Sequence, residues 1–284
     1  MAEREKNGQE GIFCACGNRG DVPGERVNLR RIREKLDALE AAGDTEGAAR
    51  LLNYWIAEAQ FIGDRTGEAL LENEFVGMYR KAGRGAEALR HGDRALSLLE
   101  AGGLEDTVTA GTTRINVATA CTAFGQEERA CLLFEQARKI YEARLDATDE
   151  RLGGLYNNMG LCMISLGRFA EGRQLFDRAL AVMSTVPCGE GEAAVTCLNL
   201  ADLSSAEAEA AGDEESLIRA AEETERLVER AWALLNTSTL PRDAAYRFIC
   251  EKCAPVMAHY GRLDWAEALR KRAGKKEAGD EEGC

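Results

Sequence analysis

Apolar residues recur at helical spacing along most of the chain, most clearly between Arg151 and Met183. In this segment one helix face carries a regular apolar series: Leu155, Met159, Met163 and Leu166. Gly167 follows the series, as glycine often does after the last turn of a helix, and a second apolar face starts at Phe169. The spacing therefore predicts two helices joined by a short turn.

The residue types favour helices along the whole chain. Alanine, leucine, glutamate and arginine dominate, and only 4 of the 284 residues are proline. The four common types are good helix formers, whereas proline breaks helices. No long stretch alternates apolar and polar residues, as a half-buried strand would. We therefore predict an all-α protein, and the hydrophobic and charged fractions of 45% and 30% are typical of a folded domain.

The two-helix pattern recurs from about Ala69 to Met183 when the sequence is shifted by 42 residues. Three sets of residues come into register: Tyr79, Cys121 and Met163; Gly83, Gly125 and Gly167; Ala88, Ala130 and Gly172. A single amphipathic helix cannot bury its own apolar face, so the helical pairs are expected to stack in series.

Weaker pairs flank these three and raise the expected number to about six. A shift of 41 residues places Asn199 under Asn158, and the first helix of that pair is expected to run about a turn longer. Atypical end units are expected because they cap the array. The units are predicted near residues 29–62, 69–100, 111–144, 153–186, 194–236 and 242–274. One domain of residues 28–274 follows, between a flexible arm (1–27) and a charged, disordered tail (275–284).

The stretch LYNNMGLCMISLGRFAEGRQLFDRAL resembles the tetratricopeptide repeat, in which aromatic, Leu-Gly, Tyr, Ala, Phe and Ala positions recur. The matching residues are Tyr156, Met159, Gly160, Met163, Gly172, Phe176 and Ala179. The longer variety of this repeat, found in kinesin light chains and many bacterial regulators, is the most similar. The resemblance implies a right-handed α-α superhelix, a solenoid of about six helical hairpins whose first helices line a concave partner-binding groove. The sequence departs from the pattern where Gly92 and Glu127 replace aromatic residues.

One position of the first helix carries asparagine in three successive units: Asn116, Asn158 and Asn199. The preceding unit has Glu74 there, beside Asn73. This position comes one residue before packing residues such as Met159, so we expect it to face the groove. An amide offers both a donor and an acceptor, and the resemblance implies that such a column holds the main chain of an extended peptide. Alternatively, these amides hydrogen-bond between neighbouring repeats and only stabilise the array.

Other side chains on the same predicted face would select the partner. These are Asn73, Asn157, Arg80, Lys81, Thr119, Leu161 and Ser165. Together with the asparagine column they predict a non-catalytic scaffold or adaptor that holds a peptide or protein segment. Groove cations such as Arg80 would favour acidic or C-terminal carboxylate ligands.

The ten cysteines support a different interpretation, a metal- or redox-responsive regulator. Cys250-x-x-Cys253 is half of a zinc or redox motif, and Cys14, Cys16 and His259 could supply further ligands. However, Cys250 and Cys253 fall at helix-packing positions, and the two cysteine pairs lie at opposite ends of the predicted array. We therefore predict no metal site within one chain and no cofactor, and zinc held between two chains stays open.

The net charge of −13 argues against nucleic acid as the partner, because a polyanion requires a basic face. No apolar run approaches the length of a membrane span. The charged start MAEREKNGQEG has no apolar stretch behind it, unlike a secretory signal, so a cytoplasmic location is predicted. With two histidines and no phosphate-binding glycine loop, no enzyme activity is expected. A self-assembling protein, for example a homodimer in which one copy fills the groove of another, is a third interpretation.

Overall fold

The computed structural model describes residues 26–274, which form twelve helices and no strand. The helices are α1 (Leu29–Ala41), α2 (Thr45–Ile62), α3 (Arg65–Lys81), α4 (Gly85–Ala101), α5 (Val108–Ala123), α6 (Glu127–Arg144), α7 (Glu150–Ser165), α8 (Phe169–Met183), α9 (Glu190–Ala211), α10 (Glu214–Leu235), α11 (Ala244–His259) and α12 (Leu263–Ala273). The all-α prediction is confirmed for these residues. Cys14, Cys16, most of the predicted arm and the predicted tail lie outside them.

Consecutive helices form six packed pairs, from α1 with α2 to α11 with α12. The helices α3, α5, α7 and α9 begin three or four residues before the predicted units, and a side chain caps the start of α3, α5 and α7. Asp64 accepts a hydrogen bond from the Gly67 amide ahead of α3, and Thr107 accepts one from the Ala110 amide ahead of α5. Such caps satisfy backbone donors that have no partner inside the helix. As predicted, α9 is longer than α7, at 22 residues against 16.

Glycines close the first helices of three pairs in the way that the repeat predicts. Gly83, Gly125 and Gly167 have φ angles of 71°, 72° and 67°. This left-handed conformation is strained for residues with a Cβ atom, so glycine is the residue that allows the short turn between the two helices of a pair.

The predicted small residues serve two different purposes in the second half of the chain. A Cβ atom on Gly160 would lie 2.5 Å from Cε1 of Phe176, so this glycine makes room for a fully buried ring. A Cβ atom on Gly172 would lie 3.0 Å from Cδ1 of Leu203, so this glycine makes room for a buried leucine of α9. Small residues therefore make room for a buried ring of the same helical pair and for a buried leucine of the next pair.

The described residues fall into two compact units, 26–145 and 146–274, with three helical pairs each. In both units the first helices of successive pairs also touch each other, namely α3 with α5, α7 with α9 and α9 with α11. Each unit therefore buries its apolar surface between neighbouring pairs, as stacked repeats do. None of the helices between residues 26 and 274 combines the length and apolar character that a bilayer crossing requires.

Candidate functional site

The predicted asparagines of the second unit lie on the neighbouring helices α7 and α9. Asn158 and Leu161 are one turn apart on α7, and Asn199 and Asp202 are one turn apart on α9. The two asparagines and Asp202 are half-buried, and Leu161 is exposed. We call the surface formed by these four side chains the amide face.

Asn199 is held by a chain of hydrogen bonds that runs into the core. Its Nδ2 donates to Oδ1 of Asn157 at 3.3 Å, and Nδ2 of Asn157 donates to Oγ1 of Thr196 at 2.8 Å. The Thr196 hydroxyl then donates to the Glu192 carbonyl at 2.9 Å. Thr196 is fully buried and Asn157 is 7% exposed. The chain therefore couples a core residue to a side chain at the surface.

The direction of this chain fixes which way the Asn199 amide points. The Thr196 hydroxyl donates its hydrogen to the Glu192 carbonyl, so its oxygen can only accept a hydrogen bond from Asn157. Because Asn157 donates to Thr196 through its amide nitrogen, its side-chain oxygen faces Asn199 and accepts a hydrogen bond from the Asn199 N–H group. An amide that donates on one side has its oxygen on the other, so Asn199 keeps a free carbonyl acceptor.

Asn158 differs from its counterparts because its amide has no hydrogen-bond partner within residues 26–274. A column asparagine forms an amide pair when the preceding repeat has asparagine one residue before its own column position, as with Asn73 and Asn157. The repeat before Asn158 has Ile115 there. In the first unit Asn116 donates to Asn73 at 3.2 Å, and Asn73 is 3% exposed. The alternative interpretation, in which the column amides hydrogen-bond between neighbouring repeats, therefore holds for one N–H group of Asn116 and one of Asn199. It does not hold for Asn158.

The predicted cations of the first unit have different surroundings. Lys81 is exposed and pairs with Glu40 at 2.8 Å. Glu74, in the column position of α3, pairs with Arg33 at 3.4 Å, and burial raises the pKa of its carboxyl despite that arginine. Arg80 is half-buried with no side-chain partner in the described part of the chain, and burial lowers the pKa of its guanidinium. Arg80 is therefore the predicted cation that is available to an anionic group.

The remaining predicted residues contribute less. The Thr119 hydroxyl donates to the Ile115 carbonyl at 2.8 Å, and the Ser165 hydroxyl donates to the Leu161 carbonyl at 3.3 Å. Both hydroxyl protons are used within their own helices, so these side chains offer acceptor oxygens only. Gly77 corresponds to Thr119 in the repeat, 42 residues earlier, and a Cβ atom added there would meet nothing within 4 Å.

Sequence reasoning missed a polar cluster at one end of the amide face. Oδ1 of Asp202 accepts a hydrogen bond from the Tyr260 hydroxyl at 2.6 Å, and the Ser205 hydroxyl lies 3.4 Å from the same Tyr260 oxygen. Burial raises the pKa of Asp202, against the opposing effects of Tyr260 and His259. The available signal was the 41-residue shift, which places Asp202 under Leu161.

The cysteine pair belongs to the core of the second unit. Cys250 and Cys253 are 0% and 1% exposed in α11. Burial raises the pKa of both thiols, that of Cys253 to about 12. Thiolates are the species that bind metals and exchange disulfides, so burial works against either role. Within residues 26–274 no group of three or more His, Cys, Asp or Glu side chains is placed to hold a metal ion.

The raised pKa of Cys253 predicts lower stability at alkaline pH. An unfolded thiol loses its proton near pH 8.5, whereas the folded thiol keeps it to about pH 12. Between these values the unfolded state binds fewer protons, so the free energy of unfolding falls as pH rises, by about 1.4 kcal/mol per pH unit for one thiol. Urea unfolding at several pH values from 8 to 10.5 measures this slope. Cys253→Ala should reduce the slope, and Cys188→Ala, which removes an exposed thiol, should not.

Comparison with known proteins identifies the type of repeat. Residues 67–143, which include α4, α5 and most of α3 and α6, match the family described as tetratricopeptide repeat. The two helical pairs within this range, α3 with α4 and α5 with α6, are similar to tetratricopeptide repeats. Repeats of this type are a general scaffold for interactions between proteins. No curated protein gives a significant match.

Three solved structures are similar to this chain, and two of them share its fold. BtubC (BKLC) from P. vanneervenii is 21% identical, with a TM-score of 0.62 over 76% of this chain and 84% of that one. The apo form of RapI is 14% identical, with a TM-score of 0.53 over 87% of this chain and 96% of that one. A putative kinesin light chain repeat protein from Podosopora anserina is 16% identical, with a TM-score of 0.49 over 72% of this chain and 92% of that one. The first two likenesses confirm the predicted fold class.

Proposed function

We propose that this chain is a non-catalytic scaffold that holds an extended segment of a partner protein against the amide face. Asn158 and Asn199 bind the main chain of that segment in the second unit, and Asn116 acts in the same way in the first unit. Leu161 and Ser165 contact side chains of the segment held by the second unit. In the first unit, Thr119 and Arg80 contact a segment bound there, and Arg80 meets an anionic group of it. The partner is a protein segment, not a nucleic acid or a membrane, and the predicted cytoplasmic location is compatible with this role.

The observation that carries the proposal is the state of two neighbouring amides. Asn158 has its full capacity for two donated and two accepted bonds, and Asn199 presents a carbonyl whose orientation is fixed from the core. An extended peptide exposes alternating N–H and C=O groups. A free donor on Asn158 and a fixed acceptor on Asn199 are complementary to these groups and require no particular peptide sequence.

One of the two histidines packs against the buried residues Glu72 and Phe75 of the first unit. His91 Nδ1 lies 2.5 Å from Oε2 of Glu72, and the imidazole stacks on the Phe75 ring with centroids 4.1 Å apart. The redox alternative has less support, because Cys250 and Cys253 are buried thiols with raised pKa values. We therefore assign the function to the amide face.

A direct test measures peptide affinity before and after removal of the free amide. A pool of random nonapeptides with blocked ends is selected on the immobilised protein, and the enriched peptides are titrated by fluorescence anisotropy. Asn158→Ala should weaken binding by about 0.5–1.5 kcal/mol, or about 2–10-fold, since one or two hydrogen bonds are lost. Asn158 has no partner in the described structure, so the unfolding midpoint should not change.

Asn53→Ala is the matched control, because Asn53 is exposed on α2, in the other unit. It should bind the enriched peptides as the original chain does. Equal affinities of the Asn158→Ala and Asn53→Ala variants would refute the assignment of Asn158. Failure of the original chain to enrich any peptide would refute the proposed function.

Backbone N-methylation tests whether Asn199 accepts from a peptide N–H group. Methylation removes one donor at a time, and one position along the peptide should lose about 2–10-fold in affinity. In the Asn199→Ala variant the same methylation should cause little further loss of affinity, because the acceptor on the protein is already absent. Additive losses at every position would show that Asn199 does not bind the peptide main chain.

A further inference from the structure

Asp202 occupies a position of the amide face where the three preceding repeats carry uncharged residues, namely Gly77, Thr119 and Leu161. In the repeat alignment Asp202 corresponds to Leu161, 41 residues earlier, and Leu161 corresponds to Thr119, 42 residues earlier. We propose that Asp202 selects partner segments that carry a lysine or arginine side chain beside the part of the main chain held by Asn199. This inference rests on the proposed function and adds the chemical class of the partner.

The surroundings of Asp202 in the described part of the chain provide no lysine or arginine partner for its carboxylate. Oδ1 accepts from the Tyr260 hydroxyl at 2.6 Å, and no lysine or arginine within residues 26–274 forms an ion pair or hydrogen bond with this carboxylate. Ser205 lies 3.4 Å from the Tyr260 hydroxyl. Burial raises the pKa of Asp202, and Tyr260 and the neighbouring His259, at the end of α11, lower it. Burial also raises the pKa of Tyr260, and the carboxylates of Asp202 and Glu209 raise it further.

A half-buried carboxylate without a cation is costly, because burial removes water that stabilises the charge. A lysine ammonium or arginine guanidinium that docks on the amide face restores this stabilisation through a charge-assisted hydrogen bond. The second carboxylate oxygen has no hydrogen-bond partner in the described part of the chain and is available for that bond. The net charge of −13 adds a long-range attraction for cationic segments.

The spacing along α9 suits a single bound segment. Asn199 and Asp202 are three residues apart, which is about 4.5 Å along a helix axis. A lysine side chain extends farther than this from its own main chain. One residue can therefore give its N–H group to the Asn199 carbonyl while the next side chain reaches Asp202.

The experiment uses four pools of nonapeptides with blocked ends and random flanks, whose central residue is fixed as arginine, lysine, norleucine or glutamate. Retention of each pool on the immobilised full chain is measured at pH 7.5. The arginine and lysine pools should be retained about tenfold better than the norleucine pool, and the glutamate pool should be retained least. Norleucine has nearly the shape of lysine without the charge, so this comparison isolates the charge.

Asp202→Asn is the matched variant, because asparagine keeps the shape and an acceptor for the Tyr260 hydroxyl. It should bind the norleucine pool as before and lose the tenfold preference for the cationic pools. Glu229→Gln, which removes an exposed carboxylate from α10, gives the same change in net charge and should keep the preference. The unfolding midpoint of Asp202→Asn should not fall, since a buried charge is removed.

The outcomes separate the two proposals. If all four pools bind the original chain equally, or if Asp202→Asn retains the preference, the role of Asp202 is refuted and the scaffold function stands. If Glu229→Gln loses the preference as strongly as Asp202→Asn, net charge selects the cation and the role of Asp202 is again refuted. If no pool is retained by the original chain, the proposed function itself fails.

Discussion

Replacing Phe176 with alanine should lower the free energy of unfolding of the second unit by about 3–5 kcal/mol. The Phe176 ring is fully buried and fills the space above Gly160, where a Cβ atom would lie 2.5 Å from Cε1. Truncation removes the ring from the core and leaves a cavity between α7 and α8. Urea unfolding followed by tryptophan fluorescence measures the loss, and Trp55→Phe restricts the signal to Trp232 and Trp265 of the second unit.

Phe61→Ala is the control for this prediction, because Phe61 is 87% exposed. Its effect should stay within about 0.5 kcal/mol. Gly160→Ala should itself destabilise the unit by about 1–3 kcal/mol, because the added methyl group collides with the ring. In the Phe176→Leu background the methyl group has more room, so the same change should cost less. Equal costs of Gly160→Ala in both backgrounds would contradict the close packing between the two residues.

Asn157→Ala should cost the second unit about 1–3 kcal/mol, because Asn157 occupies the middle of the hydrogen-bond chain. The change removes an acceptor for Asn199 and a donor for Thr196, and Thr196 is fully buried. The affinity for peptides selected on the original chain should fall as well, since the Asn199 amide is no longer oriented. Urea unfolding gives the first quantity and fluorescence anisotropy the second.

Thr196→Val provides a matched test of the same chain of bonds. Valine keeps the shape of threonine but cannot bond to Asn157, so the free energy of unfolding and the peptide affinity should both fall. Asn53→Ala, on the exposed surface of α2, should change neither quantity. A Thr196→Val variant with lower stability but unchanged affinity would mean that the core does not orient Asn199.

The fold could be predicted from the sequence because the determining features are local. Closing glycines such as Gly83 and Gly125 mark the turn positions, and the apolar spacing marks the buried helix faces. The helix starts were less accurate, since the caps at Asp64 and Thr107 precede the first apolar residue of the pattern. The division of the described residues into two compact units has no local signal in the repeat.

The candidate site was predictable only in part because its details depend on neighbouring helices. Helical spacing distinguished the partly exposed Asn158 from the buried Met159. It could not give the direction of the Asn199 amide, which is set by Thr196 through Asn157. In the sequence Asp202 is indistinguishable from a solvated acid on a polar helix face. Its contact with Tyr260, which is 58 positions farther along the chain, is seen only in the structure.

Gly77 gives the first unit room to change its specificity. A Cβ atom at this position meets nothing within 4 Å, and in the repeat register the position corresponds to Thr119, Leu161 and Asp202. Glycine inside a helix costs about 1 kcal/mol relative to alanine, so a larger residue there also strengthens α3. New binding preferences usually arise at the expense of stability. At Gly77 both can improve in a single mutational step, which makes this repeat a starting point for evolving or engineering recognition of a different partner.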